Sequence, residues 1–381
     1  MNRQPRFLLT ALLLNAALPG LATAARADDT VTRTLQQSIQ VPTGDRVAVE
    51  NLVGRVSVTR SNGPLAVTAT VVAGGNQAQT LVQSVKLDVS TSGGRVLVHV
   101  HYPVDRYDSL LYNPPNSQAG GSGEACILGD LICFHGNSSR TVHYQGTRVH
   151  VWVNQHDGSG VPLYVNLAIR VPAHVTASFS NAAGLLEADG LANNLSLATQ
   201  GSDIHIRNLR GRLAARSHGG DVYASGITSQ EAGLHTDGGD LTASNLSGDL
   251  NLVTGGGDAK LDTIAGKLSL DSGGGDARLS GDLARLQSLD ADTGGGDLTV
   301  SGNLAALTSL NAESGGGDIV FRTSNLSLHL DASSGGGDIH ISLPEMHNVT
   351  SSSNHFSGDI GKAANTGTLD SGGGDITVAQ P

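Results

Sequence analysis

From about residue 172 the chain repeats one short grammar of apolar and polar positions. Each unit places an aspartate behind a run of glycines. Gly255-Gly256-Gly257-Asp258 returns at 273–276, 294–297, 315–318, 335–338 and 372–375, and shorter versions end at Asp203, Asp221, Asp240 and Asp359. Successive aspartates stand 18, 19, 18, 18, 21, 21, 20, 21 and 16 residues apart. Residues one and three after the aspartate are apolar or alanine, as in Ile204/Ile206, Leu241/Ala243, Leu298/Val300 and Ile376/Val378. Those eight and six before it follow the same rule, as in Leu195/Leu197, Leu250/Leu252 and Leu268/Leu270. Alternation of period two predicts a short strand with one buried face on either side of the tag. In four early units a third apolar residue sits six after the aspartate: Leu209, Ile227, Leu246 and Ile264. The glycines are expected to make the turn between the strands, where φ > 0 is needed.

Two short strands and a third inward point per unit describe one coil of a solenoid. A coil cannot bury its own apolar face, but coils stacked about 4.8 Å apart bury a continuous column. The expected fold is therefore all-β, a parallel β-helix of about 18–21-residue coils. Right-handed coiling is expected by analogy with crossover connections. An antiparallel sandwich would call for longer strands and less uniform repeats.

The N-terminal part carries a different rhythm. Residues 30–101 alternate around Val47/Val49, Val56/Val58, 65–71 and 96–101, with turn signals at Thr43-Gly44-Asp45, Ser61-Asn62-Gly63 and Ser92-Gly93-Gly94. Residues 102–147 break the pattern with Asn113-Pro114-Pro115-Asn116 and Gly120-Gly121-Ser122-Gly123. Strands resume at 148–154 and 161–171. This divides the chain into 28–171, a β-rich region expected to cap one end of the stack, and 172–381, the repeat array.

Residues 1–27 resemble a secretory signal peptide. Arg3 and Arg6 precede an apolar run at 7–18, and Ala25-Arg26-Ala27 offers a small-x-small cleavage site. No later run approaches the length of a membrane-spanning helix. The expected product is an exported protein of the periplasm, the medium or the cell surface. The formal charge is −11 for the whole chain and −14 without residues 1–27, which carry three arginines and no acid. Such a balance argues against nucleic acid and against an anionic membrane face as partners. Glycine accounts for 51 of 381 residues and aromatics for only 3%, which suits thin stacked strands better than a thick core.

The run 161–172, VPLYVNLAIRVP, leads into Ala177-Ser178-Phe179-Ser180-Asn181-Ala182-Ala183-Gly184 and then the Gly-Gly-Asp units. With GDRVAVENLVGRVSV at 44–58, these segments resemble a bacterial β-strand-repeat family of unknown function catalogued as putative adhesins. The resemblance spans roughly residues 40–378. It implies an exported, parallel β-helix-like fold and no established activity. The 102–147 loop looks like an insertion relative to that pattern.

Candidate chemistry is sparse. Cys126 and Cys133, in CILGDLIC, are expected to form a local disulfide in an oxidising compartment, with a two-cysteine metal site as the alternative. Stacking in register would align Asp221, Asp240, Asp258, Asp276, Asp297, Asp318 and Asp338 in a column. These side chains either accept turn N–H groups or bind Ca²⁺ weakly. The calcium-binding nonapeptide places a residue between glycine and aspartate and repeats after nine residues; this sequence does neither. No other cofactor is expected. Two after each aspartate an outward strip reads His205, Tyr223, Thr242, Lys260, Arg278, Thr299, Val320, His340 and Thr377, a candidate recognition face for a surface glycan or an envelope protein. The pairs His99/His101 and His143/His150 lack a carboxylate at supporting spacing. Three functions compete: an adhesin-like binding or scaffold surface, a periplasmic structural or envelope-stress accessory protein, and a polysaccharide-active enzyme. The enzyme is disfavoured because catalysis needs one singular preorganised site, whereas these aspartates recur in every coil.

Overall fold

The computed structural model describes residues 30–113, 124–126, 133–135, 138–153, 160–173 and 175–381. The expected signal peptide lies outside the described residues, as do parts of the 102–147 loop. The chain is all-β, and Ala78–Ser84 is the one α-helix among the described residues. The repeat array is a β-solenoid. First strands pair in parallel with Leu195 opposite Leu213, Leu213 opposite Ala232 and Ala232 opposite Leu250. Second strands do the same through Ile204, Val222, Leu241, Ala259, Ala277, Leu298 and Ile319. The alternating apolar residues line the inside, and Leu209, Ile227, Leu246 and Ile264 are fully buried beside them.

The parallel stack begins far upstream of residue 172. Arg46–Ser61 pairs along almost its whole length with Thr176–Asp189, so Val47 faces Ala177 and Val58 faces Ala188. Its other edge takes Arg95–His101 and Val161–Pro172, also in parallel. Beyond these the direction reverses. Lys86–Ser92 pairs antiparallel with Arg95–His101, Leu65–Ala73 with Val161–Pro172, and Val31–Ile39 with Leu65–Ala73. The boundary drawn at 171/172 is thus not a boundary of the sheet. The outermost strand is pinned by Arg33, whose guanidinium donates to the carbonyl oxygens of Val82 and Val85 at the C-terminal end of the helix.

At the other end the coils do not follow sequence order. Naming each coil by its tag aspartate, the Asp375 coil lies between the Asp318 and Asp338 coils. Ile319 pairs with Ile376, and Ile376 pairs on its other side with Ile339. The first strands agree, with Ser309–Ser314 and Leu328–Ser334 flanking Thr366–Ser371. One expectation is corrected: Asp338 does not follow Asp318 in the column, because the Asp375 coil is inserted between them. Asp359, the end of a shortened tag, lies outside the column, on His355–Ile360, antiparallel to Leu328–Ser334 and covering its outer edge. Met346–Ser351 then pairs antiparallel with His355–Ile360. Antiparallel strands therefore finish both ends of the stack and keep a parallel coil edge from templating further strands.

The glycines need a different explanation from the expected one. In the 255–257, 273–275 and 315–317 tags no glycine adopts φ in the left-handed range. The requirement is proximity. A Cβ on Gly257, Gly275, Gly317 or Gly374 would meet a glycine carbonyl oxygen of the adjacent coil at 2.2–2.3 Å, whereas Gly256 and Gly274 have nothing within 4 Å. The stack brings backbones together where the sheet turns its corner, and in these tags the first and third glycines, but not the middle one, are excluded from carrying a side chain.

A hydroxyl precedes each tag. Thr199, Ser217, Thr236, Thr254, Ser272, Thr293, Ser314, Ser334 and Ser371 all stand four residues before an aspartate, and all are buried. Ser217, Thr236, Ser314 and Ser371 accept the N–H of the glycine three residues on at 2.8–3.0 Å. Thr236, Ser314 and Ser371 donate to a glycine carbonyl of the adjacent coil at 2.9–3.0 Å. The hydroxyl thereby satisfies backbone groups that the corner takes away from the sheet ladders. Near the N-terminal end an asparagine pair does similar work. Asn51 Nδ2 donates to Val165 O at 3.1 Å and to Asn181 Oδ1 at 3.0 Å, and Asn51 Oδ1 accepts the Tyr102 hydroxyl at 2.9 Å. Asn181 Nδ2 donates in turn to Gly54 O at 2.8 Å.

Candidate functional site

The tag aspartates form a continuous hydrogen-bonded ladder. Asp221 N donates to Asp203 Oδ1, Asp240 N to Asp221 Oδ1, and Asp258, Asp276, Asp297 and Asp318 repeat the contact at 2.8–2.9 Å. Asp375 N then donates to Asp318 Oδ1 and Asp338 N to Asp375 Oδ1, both at 2.8 Å. One oxygen of each carboxylate in this series, up to that of Asp375, is thus committed to the backbone of its neighbour. Among the described residues, no group of three or more His, Cys, Asp or Glu side chains is arranged to hold a metal ion.

Beside this ladder runs the outward strip, in the order His205, Tyr223, Thr242, Lys260, Arg278, Thr299, Val320, Thr377 and His340. The exchange of the last two follows from the inserted coil. Lys260, Arg278 and His340 are exposed. Lys260 and Arg278 are register partners on adjacent strands, which makes one doubly positive step on an otherwise acidic molecule. His205 departs from expectation: it is only 5% exposed. Burial, reinforced by the nearby Arg207 and Arg55 charges, lowers its pKa to about 4. A neutral His205 ring lies 4.8 Å from that of Tyr223. Tyr223, 36% exposed, donates its hydroxyl to Asp221 Oδ2 at 3.1 Å. Burial and then Asp221 push this phenol well above its ordinary value.

At this end of the stack the inserted segment meets the glycine corner of the solenoid. The hairpin Ser138–Tyr144/Thr147–Val153 is clasped to the solenoid by Gln200, which accepts the His143 N–H at 3.1 Å and donates to His143 O at 3.0 Å. Arg140 then lies against the glycine corner, where Gly201 leaves room for its guanidinium. Burial lowers the Arg140 pKa, opposed by Asp203. Between hairpin and corner is an open cleft of about 300 Å³ lined by Tyr112, Arg140, Asp203, Asp221 and Asp240. In the same insert, Cys126 and Cys133 occupy directly opposed positions of the strand pair Glu124–Cys126/Cys133–His135. Their sulfurs, and with them the expected disulfide, lie outside what is described.

Two further polar clusters escaped sequence reasoning because their members are distant in the chain. Asp237 takes His218 Nδ1 at 2.6 Å, His235 Nε2 at 2.5 Å and Arg216 at 3.1 Å. The histidine hydrogen bonds, with Arg216 adding less, hold its carboxyl at about 2. At the C-terminal end, Asp359 accepts from His329 Nδ1 and from Asn348 Nδ2, both at 2.6 Å. The Asp359 contact raises the His329 pKa, helped by Asp331, and the Asn348 and His329 contacts lower that of Asp359. This His329 contribution is complete below its unfolded value near 6.5 and is lost as pH rises through the folded one. The Asp359 contribution is present above about 3.8 and is lost as pH falls through its lowered value. Protection of the amides of residues 346–360, relative to their intrinsic exchange rates, is therefore expected to be greatest between about pH 4 and 6.5 and to fall toward pH 8, so that exchange accelerates there beyond the intrinsic base-catalysed rate. The excess acceleration should disappear in His329→Gln. A further pair is Glu50 and His99, 3.2 Å apart, so His99 does have a carboxylate, 49 residues away.

No curated protein matches the chain. Among solved structures, a putative adhesin from Bacteroides fragilis NCTC 9343 is 13% identical with a TM-score of 0.33, covering 92% of this chain and 97% of its own. A putative adhesin from Parabacteroides distasonis ATCC 8503 is 11% identical with a TM-score of 0.33, over 91% and 97%. A putative cell adhesion protein from Clostridium sporogenes ATCC 15579 is 10% identical with a TM-score of 0.18, over 92% and 100%. Likeness at that level fixes neither the fold nor the function of this chain. The family model described as Toastrack DUF4097 matches twice, over residues 165–301 and 282–379, which together hold the tags, the hydroxyl column and the interleaved end. The chain belongs to the Toastrack DUF4097 family.

Proposed function

We propose that this chain is an exported, non-catalytic solenoid, right-handed with coils of 18–21 residues, that serves as an adhesin-like binding or scaffold surface. The observation that carries this reading is the use of the repeated carboxylates. Each column aspartate from Asp203 to Asp375 spends an oxygen on the N–H of the adjacent coil. A residue present in every coil for that purpose is explained by the coil and leaves nothing singular for catalysis. Calcium on this row is the weaker reading, since carboxylate oxygens along it are already committed to the backbone of the adjacent coil, where the ion prefers six to eight oxygen ligands. What varies from coil to coil is the outward strip, and variation on a regular frame is what a recognition surface requires. No helix among the described residues is long and apolar enough to cross a membrane.

The strip's positive step supplies the first test of binding. Lys260→Glu with Arg278→Glu is expected to leave circular dichroism and thermal unfolding unchanged, because both side chains are exposed. Binding of a sulfated polysaccharide should fall about tenfold at low salt, and the difference should shrink as salt screens the charges. Unchanged binding would remove the strip from the proposal. The location is tested by protease shaving of intact cells with compartment fractionation. Digestion on whole cells, or protein in the medium, supports the outward-facing role. Full protection until the envelope is opened favours a periplasmic scaffold instead.

A further inference from the structure

The inserted coil invites a specific question: what happens when it leaves? The Asp318 and Asp338 coils are consecutive in the chain, yet the Asp375 coil separates them. All three carry the same elements, a buried hydroxyl at Ser314, Ser334 or Ser371, three glycines, an aspartate, and inward pairs at Ile319/Phe321, Ile339/Ile341 or Ile376/Val378. The two walls of the slot therefore match each other as well as they match the coil between them. Withdrawing the Asp375 coil breaks two coil interfaces, and closing the walls remakes one. The path out of the slot thus costs roughly half of what the removal of an internal coil would otherwise cost.

The connections around the slot fit such a movement. Strands His355–Ile360 and Thr366–Ser371 are joined by residues 361–365 alone, with Gly361 at φ +60° and Ala363 at φ +45°. Ala363 has a Cβ, so this left-handed conformation is strained, and short strained links favour exchange of the element they tether. The outer wall is held loosely. Ile339 and Ile341 are only half-buried, and Met346–Ser351 covers the end with Val349 45% exposed.

We infer that the Asp375 coil is exchangeable between copies, so that residues 366–379 of one chain fill the slot between the Asp318 and Asp338 coils of a second copy, and the reverse. Every contact within the slot is identical whether the coil comes from its own chain or its partner's. Exchange is then opposed only by the entropy of association and relieved by the hinge. The partner is a second copy of this chain.

The register supplies a direct test, because Val320 and Thr377 are outward-facing partners across one wall of the slot. Full chains carrying Val320→Cys or Thr377→Cys, one of them isotope-labelled, are concentrated together in mild denaturant, returned to buffer and treated with a short thiol-to-thiol linker. A doubly substituted chain, Val320→Cys/Thr377→Cys, serves as the intramolecular reference. The expected result is a linked 320–377 peptide with one light and one heavy arm, in a species of twice the chain mass. Linking the double variant before incubation should abolish that dimer. Efficient linking within the double variant, with no mixed-isotope 320–377 peptide from the two single variants, would overturn exchange. Failure of the double variant to link would overturn the interleaved pairing on which exchange depends.

Discussion

Gly275→Ala is expected to destabilise the protein by about 3 kcal/mol, whereas Gly274→Ala should change stability by no more than about 0.5 kcal/mol. The two residues are neighbours in one tag and have the same composition around them. They differ in what a methyl group would meet. At Gly275 it falls 2.3 Å from Gly257 O and 2.8 Å from Asp258 Oδ1; at Gly274 it meets nothing within 4 Å. The Gly257 oxygen belongs to the backbone of the coil below and cannot rotate away, so the coils must separate at that corner. Separation also lengthens the Asp276 N to Asp258 Oδ1 bond, now 2.9 Å. Urea unfolding followed by circular dichroism measures the contrast. Because coils interact mainly with their neighbours, the loss should appear together with a broadened transition as the array divides at the damaged interface. Equal effects from the two substitutions would show that loss of glycine flexibility, rather than contact between coils, sets the requirement.

The second large effect is expected at Asn51. Asn51→Ala should cost about 3 kcal/mol, because it strands Val165 O and Asn181 Oδ1 in a region that water does not reach. Tyr102→Phe should cost about 1 kcal/mol: Asn51 Oδ1 loses one donor, and the ring keeps its packing. The exposed Asn251→Ala is the control and should stay within about 0.5 kcal/mol. The same denaturation series measures all three. A small effect at Asn51 would mean that the asparagine pair is a consequence of stacking and does not hold the N-terminal coils in register.

Much of this fold is legible in the alternation of apolar residues, because a solenoid repeats its local rule. Leu195/Leu197, Ile204/Ile206 and their successors identify inward positions without knowledge of any distant residue. The glycine tag is equally visible, but its physical cause is not, since a sequence does not show how closely two backbones approach. The Ser/Thr four before each aspartate was available in the pattern and carries more information than spacing. Asp359 has His355 at that position and a single preceding glycine, which sets it apart from the aspartates of the column. The interleaving of the Asp375 coil is harder to read. Coils that are chemically alike give no local signal of which one lies next to which, and only the hairpin at Met346–Ser351 and His355–Ile360 decides it. The alternation is enough to place Lys260 and Arg278 side by side on the outward face, where both are exposed. The burial of His205 is not legible in the alternation, because the ring against it, Tyr223, comes from the next coil and Arg55 from a strand 150 residues away in the chain. The asparagine pair and the Asp237 and Asp359 clusters join residues whose separation in sequence carries no pattern.

Interleaving also bears on how the molecule is made. A polypeptide delivered amino end first presents residues 328–342 before residues 366–379 exist. During that interval the Asp338 coil has the Asp318 coil as its natural neighbour and every reason to settle on it. Where those two coils meet first, residues 366–379 reach their place by displacement, wedging between neighbours that have already paired. The hairpin Met346–Ser351/His355–Ile360 rides on the outer wall of that joint, so the wall that moves carries its own edge cover with it.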